Sequence, residues 1–436
     1  MHPISAAPNA TADLLARYQA VRAATLQFCR PLTPEDMMVQ SCPEASPVKW
    51  HLAHTSWFFE TFILREFVSA YQPFHAEFPW LFNSYYNALG DMPEKRLRAS
   101  FSRPSLEAIL SYRAHVDEAM ARLLQLSVED EAERRIVLGL QHEQQHLELI
   151  ATDIKHALFT NPLRPAYQES MPALAPVLPA PLQQWETFAG GLVSIGAAPE
   201  STTPHGFAFD NETPRHQYFL QPYSLATRLV TCAEYLHFIE EGGYQRPELW
   251  LAEGWQEMRA EGWQAPLYWQ RQPRSSSGWS VYTLRGTQLL DDLSETPVCH
   301  ISFFEADAFA RWAGHRLPTE FEWEHAAAAL QPLAASNCLE SGLLHPARAS
   351  VAPGLQQMFG EAWEWTQSAY LGYPGYKPLP GALGEYNGKF MSSQMVLRGG
   401  SCATPITHLR ATYRNFFAPA TRWQIAGLRL ATDGAR

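Results

Sequence analysis

The chain has 436 residues, 46% of them hydrophobic and 18% charged, with a formal net charge of −11 at pH 7. That length exceeds the usual single-domain size, so two domains are expected, and the composition supplies packed cores without disordered bulk. An acidic chain with no basic run argues against a nucleic-acid or anionic-membrane partner, because neutralising phosphates takes clustered Lys and Arg. No apolar stretch approaches the ~20 residues of a membrane span. The opening MHPISAAPNATADLL lacks the charged and apolar regions of a signal peptide. Six cysteines (Cys29, Cys42, Cys232, Cys299, Cys338, Cys402) show no CxxC spacing, which predicts reduced thiols in a cytoplasmic protein.

Residues 11–28 place apolar side chains at helical spacing behind Thr11, a capping residue type. A second helix is expected from Pro47 onward, where VKWHLAHTSWFFETFIL is apolar nearly all round and so buried. Residues 105–126 and 133–158 give a third and a fourth. Four helices of this length make an up-down bundle the natural reading for residues 1–160, with LFNSYYNALGD covering one end. Residues 161–184 hold six prolines and predict an extended linker. Residues 185–436 carry short apolar runs broken by Gly, Pro and Asn, and 11 of the 14 tryptophans. That pattern predicts an α+β domain of short strands and long loops. Two helices are expected there, VTCAEYLHFIEEG and EADAFARWAG followed by LPTEFEWEHAAAAL, the latter with Thr319 and Glu322 at capping-box spacing.

On the fourth helix His142 and His146 stand at i and i+4, ~40° apart around the axis, where two imidazoles can converge on one cation. Gln145 faces the same way. A third ligand can come from His54 or His51 on the second helix. HEQQH also matches H-E-x-x-H, which would make Glu143 the general base of a zinc hydrolase. The continuation LELIATDIKH lacks the Gly of the metzincin pattern. A non-catalytic binder, with the bundle as scaffold, is the alternative outside enzymes.

WHLAHTSWFFE, LFNSYYNALGD and LGLQHEQQHLEL resemble the DinB-like helical bundle of the sulfoxide synthases of ergothioneine biosynthesis. FAFDNETPRH, TPVCHISFFEADAFARWAGHRLPTEFEWEHAA, EAWEWTQSAYLGYPGY and VLRGGS with TYRNFF and AGLRLA resemble the formylglycine-generating-enzyme domain, a C-type-lectin-like fold. The resemblance covers nearly the whole chain. It implies an Fe(II) enzyme that uses O₂ to join the sulfur of cysteine or γ-glutamylcysteine to C2 of the hercynine imidazole. It also implies metal ligands at His54, His142 and His146, and Gln145 on the hercynine imidazole. Tyr85 or Tyr86, in the NSYY element of the cysteine-using branch, would be proton donor; Asn415 and Phe416 would border the trimethylammonium and carboxylate end of hercynine. A close relative, selenoneine synthase, forms a carbon–selenium bond from a selenosugar and shares these motifs. Formylglycine generation itself is not expected, because Cys402 after RGGS has no partner thiol downstream.

Overall fold

The computed structural model describes residues 10–126, 128–175, 177–198, 206–330 and 336–434. These form two compact units. Of these residues, the first holds those up to Ala157 together with 206–207 and Pro380–Tyr386, and the second holds the rest.

Four long helices build the first unit: α1 (Ala10–Cys29), α2 (Val48–Phe59), α3 (Leu106–Leu123) and α4 (Asp130–Thr160). Each expected helix is present. The backbone of Thr11 lies in the first turn of α1. Ser105 caps α3 by accepting the Ala108 amide, which closes one of the open N–H groups of the first turn. Every residue of α2 is buried, as its all-round apolar pattern requires. A π-helical segment, Glu60–Leu64, continues it. There the buried Glu60 carboxylate accepts from the hydroxyls of Tyr112 (2.8 Å) and Tyr71 (2.6 Å), tying α2 to α3.

The described residues of the second unit form twelve short strands in four small sheets. Strands β1 (Trp185–Phe188), β4 (Tyr223–Ala226) and β12 (Ala431–Asp433) form one antiparallel sheet, and β2 (Gly191–Ile195) pairs with β3 (His216–Leu220). Strands β5 (Trp269–Arg271), β6 (Trp279–Thr283) and β7 (Gly286–Leu289) make a meander. The fourth sheet has the order β10 (Asn415–Phe417), β9 (Met395–Arg398), β8 (Trp363–Ala369), β11 (Ala426–Gly427). Helices α5 (Cys232–Glu240), α6 (Ala252–Ala260), α7 (Phe303–Trp312) and α8 (Glu320–Ala327) pack among them. The expected Thr319–Glu322 capping box is formed, and Thr231–Glu234 and Ser302–Glu305 repeat it on α5 and α7. Helix α6 was not expected from its sequence, since AEGWQEMRA lies in a stretch punctuated by glycine.

Residues 161–184 hold neither helix nor strand, but they are not a free spacer. The Tyr167 amide donates to the Leu284 carbonyl (2.8 Å) and the Ala180 amide to Glu295 (2.7 Å), so the segment is laid along the second unit. The stretch Pro380–Tyr386 departs from the expected boundaries. It lies deep in the C-terminal half of the sequence yet packs as part of the helical unit. There the Glu385 carboxylate receives the amides of Asn87 (3.1 Å) and Ala88 (2.8 Å). No disulfide joins the six cysteines. Among the described residues no helix is long and apolar enough to cross a membrane.

Candidate metal centre

Trp50, His54 and Trp57 follow one another at spacings of four and three on α2, so they share one stripe of the helix. The His54 imidazole is therefore sandwiched between two indoles, its centroid 4.5 Å from that of Trp50 and 5.1 Å from that of Trp57. His142 and His146 of α4 stand opposite. Ring centroids are 5.0 Å apart for His54–His142, 4.7 Å for His54–His146 and 4.5 Å for His142–His146. One nitrogen from each ring lies within 4.8 Å of the other two. The two helices come this close because residue 139 is glycine: a Cβ there would stand 2.6 Å from the Phe59 ring.

Burial, and then the charge of the neighbouring histidines, pushes all three imidazoles well below the ordinary histidine range. They are neutral at pH 7, the form that ligates metals. His54 Nδ1 donates to the Phe82 carbonyl (2.6 Å), leaving Nε2 buried without a hydrogen-bond partner. Both nitrogens of His142 are buried and unpartnered as well. Each unpaired buried polar atom costs ~1–3 kcal/mol, and a cation is the partner that satisfies several at once. An all-imidazole set suits Fe, Zn, Cu or Ni. His51 is not part of the triad. Its Nδ1 lies 2.8 Å from His146 Nδ1 and its Nε2 3.1 Å from Asp153 Oδ2, which places it behind His146 rather than within the triad.

Glu143 does not face the histidines. One residue past His142 is a turn of ~100°, and its fully buried carboxylate points into the bundle. There it accepts from Arg22 (2.8 Å), Thr25 (2.8 Å) and Arg113. Burial alone would raise this carboxyl, but Arg113 and Arg22 overcome that and hold it down at about 2. A carboxylate so committed cannot take a proton from water, and the zinc-hydrolase reading of HEQQH fails on this point.

Gln145 lies beside the cluster and accepts a hydrogen bond from the Tyr386 hydroxyl. The Tyr386 ring is 5.5 Å from that of His142 and 6.2 Å from that of Tyr85. The sequence gives no hint of this tyrosine, because it reaches the helical unit only through the Pro380–Tyr386 segment. Tyr85 and Tyr86 stack on one another at 4.8 Å. Tyr86 is wholly buried against Trp57 (5.4 Å) and Phe62 (5.1 Å), and burial suppresses its acidity. The two tyrosines of NSYY are thus not equivalent. Tyr85 makes the ring contact with Tyr386, while the Tyr86 ring packs deeper, against Trp57 and Phe62.

Arg98 was also missed. Its guanidinium is buried, lies 3.4 Å over the Trp50 ring, and donates only to the hydroxyls of Ser46 (2.8 Å) and Ser84 (3.1 Å). Among the described residues no carboxylate pairs with it, and burial pulls it down to about 9. Asn415 and Phe416 begin β10 in the second unit. The Phe416 ring stacks on Tyr370 at 4.0 Å, and the adjoining Arg414 is clamped by Glu320 (2.8 and 3.0 Å), which fixes that strand. A cleft of ≈ 700 Å³ borders Trp57, Thr61, Arg65, Trp80 and Leu383, but none of the three histidines lines it.

Residues 17–150 match the DinB superfamily, and residues 178–337 and 345–434 match the sulfatase-modifying factor enzyme 1-like domain. The hercynine oxygenase of Mycolicibacterium smegmatis is 30% identical over 422 residues, 90% of this chain and 92% of that protein. The chain belongs to the hercynine oxygenase family of ergothioneine biosynthesis. The hercynine oxygenase of Mycobacterium tuberculosis is 30% identical over 447 residues, spanning 98% of this chain and 99% of that one. Ergothioneine biosynthesis protein 1 of Schizosaccharomyces pombe is 28% identical over 237 residues, 52% of this chain and 28% of its own length. Membership in the hercynine oxygenase family makes the chain an oxidoreductase with a helical DinB domain followed by a sulfatase-modifying-factor domain.

Proposed function

We propose that this enzyme is an O₂-dependent, non-haem iron(II) sulfoxide synthase that joins the sulfur of cysteine or γ-glutamylcysteine to C2 of the hercynine imidazole. The observation that carries the reading is the buried triad of neutral histidines with the Tyr386–Gln145 pair at its edge, in a chain of this family. His54, His142 and His146 would hold the metal. Three protein ligands leave positions for substrates, and a bound iron(II) supplies the activation of O₂ and of the donor thiolate.

The remaining roles belong to the chain's own side chains. Gln145, oriented by Tyr386, hydrogen-bonds the hercynine imidazole and holds C2 toward the donor sulfur. Tyr386 and Tyr85 are the hydroxyl groups set to move a proton at the reacting sulfur and oxygen atoms, since delivery needs hydrogen-bond reach. The buried Arg98, held by the Ser46 and Ser84 hydroxyls, receives the carboxylate of the amino-acid donor.

The test is anaerobic loading with Fe(II) and hercynine, followed by air and either cysteine, γ-glutamylcysteine or a selenosugar, with products read by mass. The reading requires a hercynyl sulfoxide from one of the two thiols. Product from the selenosugar alone replaces it with selenoneine synthesis.

A further inference from the structure

A metal-ligating imidazole must present a lone pair, and a hydrogen bond at its other nitrogen fixes which nitrogen that is. For His54 the partner in that bond is the Phe82 carbonyl. For His146 it is a histidine. His51 Nδ1 lies 2.8 Å from His146 Nδ1, and two nitrogens at that separation share one proton. Which ring carries it is decided at the far side of His51. There Nε2 stands 3.1 Å from Asp153 Oδ2, and a carboxylate oxygen only accepts. His51 therefore carries its proton on Nε2, its Nδ1 is the acceptor, and His146 must be the donor through Nδ1–H. The lone pair of His146 is left on Nε2.

We propose that Asp153 and His51 are a positioning relay that fixes the tautomer and ring orientation of His146 as an Nε2 metal ligand, an inference that rests on the metal-centre reading above. The local sequence places the parts. His146 and Asp153 are seven residues apart on α4 and share one stripe, while His51 is three residues before His54 on α2. Oδ2 of Asp153 is itself pinned by the Ser46 amide at 2.8 Å, so the relay is anchored at its outer end by backbone. His51 is 2% exposed and Asp153 5% exposed, which shields both hydrogen bonds from exchange with water.

The relay can be tested by metal affinity rather than turnover. His51→Leu removes acceptor and donor together, whereas in His51→Gln the side-chain oxygen can accept from His146 while its amide donates to Asp153. Competition of Co(II) and anaerobic Fe(II) against a chelator is expected to show a 10–100-fold loss of affinity in the Leu variant. The Gln variant should stay within roughly threefold of wild type, since it keeps both hydrogen bonds. A folded Leu variant that binds both metals as tightly as wild type overturns the relay and leaves the metal centre standing. A wild-type protein that binds neither metal overturns the metal-centre reading and the relay with it. Should the Leu variant fail to fold, ¹⁵N NMR of the histidine rings in the metal-free wild type decides. The relay requires His146 protonated at Nδ1, and protonation at Nε2 overturns it.

Discussion

Replacing Glu143 by Gln separates a structural carboxylate from a catalytic one. The side chain is fully buried and paired with Arg22 and Arg113, with Thr25 as a third donor. Its carboxyl sits at about 2 rather than the ordinary 4.5, and that gap corresponds to ~3 kcal/mol of folding free energy at neutral pH. Removing one partner of a buried ion pair costs about 3–5 kcal/mol, which agrees. The sign follows from a depressed carboxyl. Its contribution is complete above the ordinary carboxylate range and is lost as pH falls through about 2. Glu143→Gln should thus lower the melting temperature by roughly 6–12 °C at pH 7, at 2–4 °C per kcal/mol for a unit of this size. It should also flatten the fall of stability between about pH 4.5 and 2. Thermal unfolding followed by circular dichroism reads the first, and acid titration of the same signal the second. Metal binding measured well below the transition should be unchanged. A variant that melts like wild type, binds metal and loses turnover would refute the argument, since that is how a general base behaves.

Replacing His54, His142 or His146 by Ala should abolish stoichiometric iron binding and turnover together; elemental analysis after anaerobic loading reads this, and full occupancy in any one variant removes that residue from the ligand set. Tyr386→Phe and Tyr85→Phe should divert product from the hercynyl sulfoxide toward simple thiol oxidation, while Tyr86→Phe leaves the partition near wild type; equal partition in all three variants would defeat the proton-delivery role. Arg98→Met should raise the donor KM by about tenfold or more, consistent with ~1.5–3 kcal/mol for a charge-assisted hydrogen bond, with the hercynine KM little changed. A fall in kcat alone would place Arg98 elsewhere in the reaction. Gly139→Val should weaken metal binding without altering any ligand, because the added carbons force α4 away from Phe59.

The helical unit was readable because its signals are local. Apolar spacing marked the four helices, and i, i+4 placed His142 and His146 on one face. The choice between His54 and His51 was not local. Both lie on the same buried helix, and only the neighbouring α4 side chains bring one into the triad and set the other behind it. Glu143 shows the same limit: its one-residue offset from His142 turns it toward α1, but the arginines that claim it come from distant segments. Tyr386 was hidden for a different reason. The Pro380–Tyr386 segment carries no helical or strand period, and its place in the helical unit is fixed by Glu385 meeting the backbone of Asn87 and Ala88. Arg98 gave no signal, because its burial is set by Trp50, Ser46 and Ser84 rather than by its own segment. The strands of the second unit were expected as a class, while their order depends on long-range pairings such as β8 with β11, which no local pattern encodes.

The most direct test of the central claim is the mass of the product formed when protein loaded anaerobically with Fe(II) meets hercynine, cysteine or γ-glutamylcysteine, and O₂. The account predicts one iron per chain and a hercynyl sulfoxide that contains the donor sulfur. Iron-loaded, folded protein that consumes no O₂ and leaves hercynine unchanged with either thiol would contradict it.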